Sequence, residues 1–186
     1  MKKVIFIYGF TGCEKQARVA RNIFSNYEFL VFNYNSWLKQ SIKEISKELE
    51  IFINGATKKN EKVFLIGISA GGIIASYYSK LINPKKILAI ATVFSPLTGT
   101  YLPKFYPRKL RGLQELRKGS KLLKCIKNSK AKVKEINFYS LLDPLVPGNA
   151  GRGKNPVHTW NFFHFTVQND KSILNQIKRF FSQIKS

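Results

Sequence analysis

Residues 63–72, VFLIGISAGG, decide the fold of this chain because they change character twice over a short distance. The stretch begins as a continuous apolar run, which is typical of a parallel strand covered on both faces. It then becomes Gly-x-Ser-x-Gly, with Ser69 at its centre, and a helical apolar pattern follows at once. A strand, a tight turn and a helix in immediate succession predict a βα unit of a parallel sheet.

The same alternation of strands and helices extends along the chain in both directions from this unit. Strands are predicted at residues 3–8, 28–32, 62–66, 87–94, 132–141 and 157–162, with helices at 14–25, 71–82 and 172–184. Alternation of this kind favours the α/β class, with about six mainly parallel strands and helices on both faces of the sheet.

One further helix is predicted between the second and third strands. Ser36 is its expected cap, and the glycine of Asn54-Gly55 is expected to end it in a left-handed conformation. Its apolar face repeats at spacings of three and four, as an amphipathic helix requires. The residues on that face are Leu38, Ile42, Ile45, Leu49 and Phe52.

An insertion separates the fourth strand from the fifth. It covers about residues 96–130, and a structureless loop of that length is uncommon in a compact domain. We therefore expect it to contain a helix that opens at Ser120. Because 186 residues suit one domain and no internal repeat is present, residues 1–186 are predicted to form a single domain with this insertion as a cap.

Composition excludes several classes of protein. The apolar runs are far shorter than the ~20 residues that a membrane-spanning helix needs. Two Cys, two His and two Asp leave little material for a disulfide scaffold or a metal centre, so no metal and no cofactor are predicted. The apolar run after Met1 ends at Gly9 without a cleavage pattern, which predicts a cytoplasmic protein, with peripheral association with a membrane left open.

The net charge of +22 is the most unusual global feature. Residues 101–135 carry 12 Lys and Arg against two acids, a net charge of +10. Tyr101 and Phe105 alternate with this charge and are predicted to contact substrate. The pattern is compatible with an anionic lipid surface or with nucleic acid, and equally with a lysine-rich proteome that places basic residues wherever solvent allows.

Ser69 is the candidate nucleophile. A serine on a sharp turn between strand and helix exposes its hydroxyl at the edge of the sheet, and glycines two positions to either side leave room for the turn. Such a serine is inert without a base, which an acidic residue must orient. The expected order along the chain is serine, acid, histidine.

The acid and the base follow from this order. Asp143 comes directly after the fifth strand, whereas Asp170, the other aspartate, lies where it would cap the closing helix. His164 lies between the last strand and the closing helix, and His158, inside or just before the sixth strand, is better explained as a packed or surface residue. We therefore predict Ser69, Asp143 and His164 as a catalytic triad.

Backbone N–H groups are predicted to stabilise the oxyanion. The geometry of the turn offers the N–H of Ala70, and the loop after the first strand offers that of Phe10. The two glycines of that loop do not match the phosphate-binding patterns G-x-x-x-x-G-K-[ST] or G-x-G-x-x-G, so nucleotide binding is rejected.

These motifs together resemble the α/β-hydrolase superfamily, in particular minimal bacterial lipases and esterases. The residues that carry the resemblance are the turn at 67–72, YGFTG at 8–12, Asp143 before LVP at 145–147, and His164 before an amphipathic helix. Residues 94–100 and 119–123 are similar to the region after the elbow in triacylglycerol lipases. Those lipases usually have His-Gly where this chain has Tyr8-Gly9, and often glycine where it has Phe163.

The resemblance implies Ser69 as nucleophile, Asp143 as the acid, His164 as base, and Phe10 and Ala70 as oxyanion donors. It implies a serine esterase or lipase that acts on small-molecule or lipid esters. A variant hypothesis is a thioesterase or esterase for acyl chains on an acidic carrier protein. A different class remains open, a non-catalytic protein that binds anionic membrane or nucleic acid on the same scaffold, although the triad disfavours nucleic acid as partner.

Overall fold

The computed structural model of the protein describes residues 1–146, 148–161 and 163–184. Its six strands form one parallel sheet in the order β2-β1-β3-β4-β5-β6. The strands are β1 Lys3–Ile7, β2 Glu28–Val31, β3 Val63–Ile68, β4 Ile87–Val93, β5 Lys134–Tyr139 and β6 Pro156–His158. The predicted α/β class is confirmed, and position 162 of the predicted sixth strand lies outside the described residues.

Six α-helices connect and follow the strands in the described part of the chain. They are α1 Arg18–Ile23, α2 Ile42–Ala56, α3 Ala70–Tyr77, α4 Arg111–Gln114, α5 Lys121–Asn128 and α6 Lys171–Ser182. A 3-10 turn, Glu14–Ala17, leads into α1, and a π-helical turn, Tyr78–Ile82, extends α3. Further 3-10 turns lie at Pro84–Lys86, Leu102–Phe105, Gly148–Gly151 and Val167–Asn169.

The sheet separates two hydrophobic cores. Alternate residues of β1 point to opposite faces, so that Val4 and Phe6 join one core while Ile5 and Ile7 join the other. The first core is closed by α1 and α6, and the second by α2, α3, α4 and α5. Burial on both faces explains why β1 and β3 are continuous apolar runs in the sequence.

The strand order reverses between β1 and β3, because the chain adds β2 on one side of β1 and all later strands on the other. At such a reversal the loops that leave the two strands diverge and open a crevice at their carboxyl ends. The Gly9–Phe10 loop and Ser69 lie at this crevice.

The predicted boundaries of α2 are wrong at both ends. The helix begins at Ile42, and its cap is Ser41 in place of Ser36. The Ser41 hydroxyl accepts from the N–H of Glu44 at 3.2 Å, while the Glu44 carboxylate accepts from the N–H of Ser41 at 2.7 Å, a capping box. Gly55 lies inside the helix, which ends at extended Thr57, so no left-handed glycine cap is formed.

The insertion contains the helix expected at Ser120. The Ser120 hydroxyl accepts a hydrogen bond from the N–H of Leu123 at 3.2 Å, which confirms the predicted start of α5. A second, shorter helix, α4, precedes it; its Arg111 forms an ion pair with Glu44 of α2 at 2.9 Å, and its Leu113 belongs to the second core. Throughout residues 1–146, 148–161 and 163–184, no helix combines the length and the apolar character that a membrane crossing requires.

Candidate active site

Ser69 occupies the turn between β3 and α3 in a backbone conformation that non-glycine residues rarely adopt, with φ 51° and ψ −121°. Two backbone hydrogen bonds hold it: the Ser69 N–H donates to Val93 O at 2.8 Å, and the Gly72 N–H donates to Ser69 O at 3.0 Å. The strain therefore persists because the surrounding backbone fixes it.

The glycine at position 71 is required by the packing of backbone on backbone. A Cβ at Gly71 would lie 2.2 Å from the carbonyl oxygen of Ile7 and 2.5 Å from that of Tyr8. The start of α3 therefore rests directly on the end of β1. This close approach places the serine beside the loop that leaves β1.

The structure brings the three predicted side chains together. The Ser69 Oγ lies 2.9 Å from Nε2 of His164, and His164 Nδ1 lies 2.6 Å from Oδ2 of Asp143. Because a carboxylate only accepts hydrogen bonds, Nδ1 carries the proton. Nε2 is then free to accept the hydroxyl proton of Ser69.

Asp143 is held by its own turn. Its Oδ1 accepts from the N–H of Leu145 at 2.8 Å and of Val146 at 3.1 Å, while Oδ2 faces His164. The residue is only 2% exposed, so its charge is stabilised by these three donors rather than by water. A turn that begins immediately after β5 thus aims the carboxylate at the site.

The loop that carries His164 is tied to the start of α6. Asp170 caps this helix, as predicted, accepting from the N–H groups of Ser172 at 2.9 Å and Ile173 at 3.1 Å. Its second oxygen accepts from the side-chain amide of Asn161 at 3.3 Å. The cap of α6 therefore also anchors the segment before the histidine.

Both predicted oxyanion donors line the cavity above Ser69. Ala70 is the first residue of α3, so its N–H has no acceptor within the helix. The N–H of Phe10 has no hydrogen-bond acceptor among the described residues. The Phe10 loop is itself fixed, because the Thr11 N–H donates to Ser36 O at 3.0 Å.

The cavity at this site has a volume of about 180 Å³ and is mostly apolar. One wall comes from the insertion, which contributes Leu102, Tyr106, Leu113 and Leu116. These four residues were not among those predicted from the sequence to line the site. The signal was present as leucines at 110, 113 and 116, recurring every three positions within a basic stretch.

Tyr101 and Phe105, predicted to contact substrate, do not line the cavity. Tyr101 immediately precedes the 3-10 turn Leu102–Phe105, and Phe105 is its last residue; they are 51% and 81% exposed. The turn therefore points Leu102 into the cavity and its aromatic neighbours towards solvent. Phe165, beside His164, lines the cavity and is 70% exposed, so it lies at the mouth of the cavity.

His158, interpreted from the sequence as a packed or surface residue, contacts the rings of Tyr139 and Trp160, at centroid distances of 5.3 and 4.8 Å. It forms no part of the cavity lining. Within the described ranges, no group of three or more His, Cys, Asp or Glu side chains is arranged to hold a metal ion.

Comparison with known proteins gives structural but no sequence relatives. No protein-family model and no curated protein matches this sequence. Many solved structures do match, among them the mature form of the Bacillus licheniformis lipase BlEst2. That structure has a TM-score of 0.78 and 13% identity, over 96% of this chain and 91% of that one.

Two further structures cover the chain to a similar extent. MGS-MChE2, an alpha/beta hydrolase enzyme from a lagoon-sediment metagenome (Mar Chica, Morocco), has a TM-score of 0.71 and 15% identity, over 98% of this chain and 91% of that one. The Paleococcus ferrophilus monoacylglycerol lipase has a TM-score of 0.69 and 15% identity, over 97% and 94%. Together these likenesses show that the chain has the α/β-hydrolase fold.

Proposed function

We propose that this protein is a serine hydrolase that cleaves carboxylic esters through an acyl-enzyme on Ser69. The observation that carries the proposal is the continuous hydrogen-bonded series from Ser69 through His164 to Asp143, at 2.9 and 2.6 Å. Separations of this size allow direct proton transfer between the hydroxyl and the imidazole.

In the acylation step, Ser69 Oγ attacks the ester carbonyl carbon while His164 Nε2 takes the hydroxyl proton. The imidazolium then donates that proton to the departing alcohol oxygen as the carbon–oxygen bond breaks. In the second half, His164 Nε2 removes a proton from water, which attacks the acyl carbon. The imidazolium then returns that proton to Ser69 Oγ as the bond between the acyl carbon and Oγ breaks, which releases the acid and restores the free enzyme. Asp143 keeps the imidazole in the required tautomer and stabilises its positive charge.

The negative charge of the tetrahedral intermediates is assigned to the N–H groups of Phe10 and Ala70. Donors that are fixed before the reaction stabilise developing charge without reorganising, and one such donor is worth about 10²–10³ in kcat. Gly9 supports this assignment, because a Cβ at its position would lie 3.0 Å from Cβ of Ser69. The loop that carries Phe10 thus lies directly against the nucleophile.

The cavity favours an ester with a compact apolar group. Its insertion wall is mostly apolar, with Leu102, Leu113 and Leu116 beside Tyr106, Pro96 and Thr100, so burial of hydrocarbon provides the binding energy there. Two of the structural relatives, a lipase and a monoacylglycerol lipase, support the same substrate class. Thioesters on an acidic carrier protein form a second candidate class, favoured by the +10 charge of residues 101–135.

Labelling by a fluorophosphonate probe tests the proposal. We expect the wild-type protein to be labelled and Ser69→Ala to be unlabelled. Ser36→Ala is the matched control. The backbone carbonyl of Ser36 accepts a hydrogen bond from the N–H of Thr11, so this serine lies beside the same loop, and the variant should be labelled like the wild type. An unlabelled wild type, or labelling of Ser69→Ala, would contradict the proposed hydrolase activity. The non-catalytic binding protein would then be the remaining hypothesis.

Hydrolysis of a series of soluble esters then separates the substrate classes. Nitrophenyl esters of increasing acyl length should show an optimum at short or medium chains, because the cavity has a volume of only about 180 Å³. The same acyl groups presented on acyl carrier protein test the second class. Turnover of carrier-bound thioesters without turnover of free esters would replace the first class by the second.

A further inference from the structure

The mouth of the cavity carries a surface that the chemistry at Ser69 does not require. We call this surface the basic rim and define it by Tyr101, Lys104, Phe105, Arg108, Lys109, Arg117 and Lys118. Tyr101, Lys104 and Phe105 lie at or beside the 3-10 turn whose Leu102 lines the cavity. Arg117 pairs with Thr100, another lining residue, through an isolated β-bridge. All seven side chains are exposed.

The positive charge of the basic rim is uncompensated. None of its five cations forms an ion pair with any residue that the structure describes. The two acids of residues 101–135 are used internally: Glu115 of the insertion accepts from the N–H of Ile42 at 2.7 Å, and Glu135 of β5 pairs with buried Lys80 at 2.9 Å. Each of these cations lies within three residues along the chain of a side chain that lines the cavity, so the segments around the cavity produce a strongly positive field.

Aromatic side chains are exposed among these charges. Phe105 is 81% and Tyr101 51% exposed, and Phe165 is 70% exposed beside His164. Lys104 Nζ lies 5.0 Å from the ring centroid of Tyr101, so cation and ring occupy one surface. Large apolar groups exposed around a cavity mark a site of contact with another molecule or with a membrane.

We propose that the basic rim docks the protein on an anionic lipid bilayer, with the cavity mouth facing the headgroups. Lysine and arginine beside exposed aromatic rings match both layers of such a surface, since the charges meet lipid phosphates and the rings enter the interface. The proposal rests on the proposed ester hydrolase and specifies its substrate as an ester-linked lipid of that bilayer.

The bilayer explains both components of the basic rim better than other polyanions. An acidic carrier protein would account for the charges and would leave two exposed rings without a function. Nucleic acid would account for charges and stacking rings, but it offers no carboxylic ester to the serine at the centre of the surface. Only the lipid surface presents negative charge, an apolar layer and esters together.

Vesicle binding by Ser69→Ala tests the proposal, because this variant leaves the lipids intact. We expect cosedimentation with vesicles of equimolar phosphatidylcholine and phosphatidylglycerol, and little with phosphatidylcholine alone. Added salt should release the protein, since screening weakens attraction between exposed charges. Equal binding to both vesicles, or binding unaffected by salt, would overturn the proposal.

Two triple variants on this background separate the basic rim from the total charge. The first replaces Lys104, Arg108 and Lys109 with Gln, and it should weaken binding to the anionic vesicles about 100-fold at low ionic strength. The second replaces Lys58, Lys59 and Lys62 with Gln. These lysines precede β3, at the opposite edge of the sheet, so this variant loses the same charge and should bind nearly as well as its parent. Equal effects of the two triples would show that only net charge matters.

Phe105→Ser tests the apolar part, and it should weaken vesicle binding without any change in net charge. Duplex DNA and acyl carrier protein are run at the same salt, and tighter binding to either would replace the bilayer as partner. Fluorophosphonate labelling of the wild type reports on the hydrolase separately. Labelling without vesicle binding would reject the docking surface alone.

Discussion

The turn around Ser69 and the insertion at 96–130 meet at one cavity, but they are built by opposite means. At the turn, backbone packs on backbone so closely that a single Cβ at Gly71 would lie 2.2 Å from a carbonyl oxygen. In the insertion, leucine side chains form the wall and exposed aromatic and basic side chains form the outer surface.

The difference separates two kinds of requirement. A nucleophile and its oxyanion donors must be held to within a fraction of an ångström, and contacts between backbone atoms achieve this independently of side-chain rotamers. The choice of substrate depends on volume and charge, which side chains supply and which can change without disturbing the turn. We therefore expect large losses from changes at the turn and shifts in selectivity from changes in the insertion.

The largest effect is expected from Gly71→Ala. Its new methyl group would meet the backbone of Ile7 and Tyr8, which cannot move aside as a flexible side chain could. We expect a loss of about 3 kcal/mol or more in the free energy of unfolding. Urea denaturation followed by circular dichroism measures it.

Gly55→Ala is the matched control for this change. A Cβ at Gly55 meets nothing within 4 Å, and the residue lies in helix α2. Alanine is favoured over glycine there by about 0.5–1 kcal/mol, so this variant should be slightly more stable than the wild type. Similar stabilities for the two variants would contradict the described contact between α3 and β1.

The next effect, of intermediate size, is expected from Tyr34→Phe. The buried hydroxyl of Tyr34 donates to Tyr8 O at 2.8 Å, and the Tyr8 hydroxyl accepts from the Tyr34 N–H at 3.0 Å. The two rings stack at 5.0 Å, and burial raises the pKa of the Tyr34 hydroxyl. This reciprocal pair connects the loop after β2 to the peptide immediately before Gly9 and Phe10.

Removal of the Tyr34 hydroxyl should therefore lower kcat by about tenfold, with KM nearly unchanged, because the oxyanion donor of Phe10 is displaced rather than removed. Tyr34 thus acts as a positioning residue. Tyr27→Phe is the control, as a largely buried tyrosine of the first core. If both variants lose the same activity, or if KM rises while kcat stays constant, the hydroxyl has only a general structural role.

The same contrast explains how much the sequence could predict. The proximity of Ser69, Asp143 and His164 could be predicted because each follows a strand, and the carboxyl ends of parallel strands lie at one edge of a sheet. Most strands were predicted to within two residues for a similar reason, since burial on both faces leaves a local apolar run. Short sequence patterns of neighbouring residues are therefore sufficient to predict these features.

The start of α2 could not be predicted in this way. Leu38 has the right spacing to Ile42 for a helix, yet its φ is 54° and its carbonyl accepts from the N–H of Gly112 at 3.0 Å. The N–H of Ile42 in turn donates to the carboxylate of Glu115 at 2.7 Å. Contacts with the insertion, a distant part of the chain, thus fix the start of the helix. The spacing of apolar residues in the helix itself does not reveal these contacts.

The insertion wall was missed because α4 has a single turn. Arg111–Gln114 is too short for a hydrophobic period to be recognised, so Leu113 and Leu116 looked like isolated leucines in a charged stretch. They are buried in the second core, which they share with apolar residues of α2 and α3. Contacts between distant segments, not local pattern, define this side of the cavity.

The smallest effect is expected from Leu102→Ala, which changes the wall without touching the turn. Leu102 is half-buried and lines the cavity, so its truncation should cost little stability and leave the rate with the shortest esters almost unchanged. The space released should admit longer acyl chains. Each extra methylene that becomes buried is worth about 0.8 kcal/mol, or about fourfold in kcat/KM.

The measurement is kcat/KM across a series of nitrophenyl esters, compared with Leu81→Ala as a control for an exposed leucine away from the cavity. A shift of the optimum towards longer acyl chains in Leu102→Ala alone would place the acyl group against the insertion. If kcat falls equally for every ester, the insertion supports the reacting groups themselves, and the proposed division between the turn and the insertion is wrong.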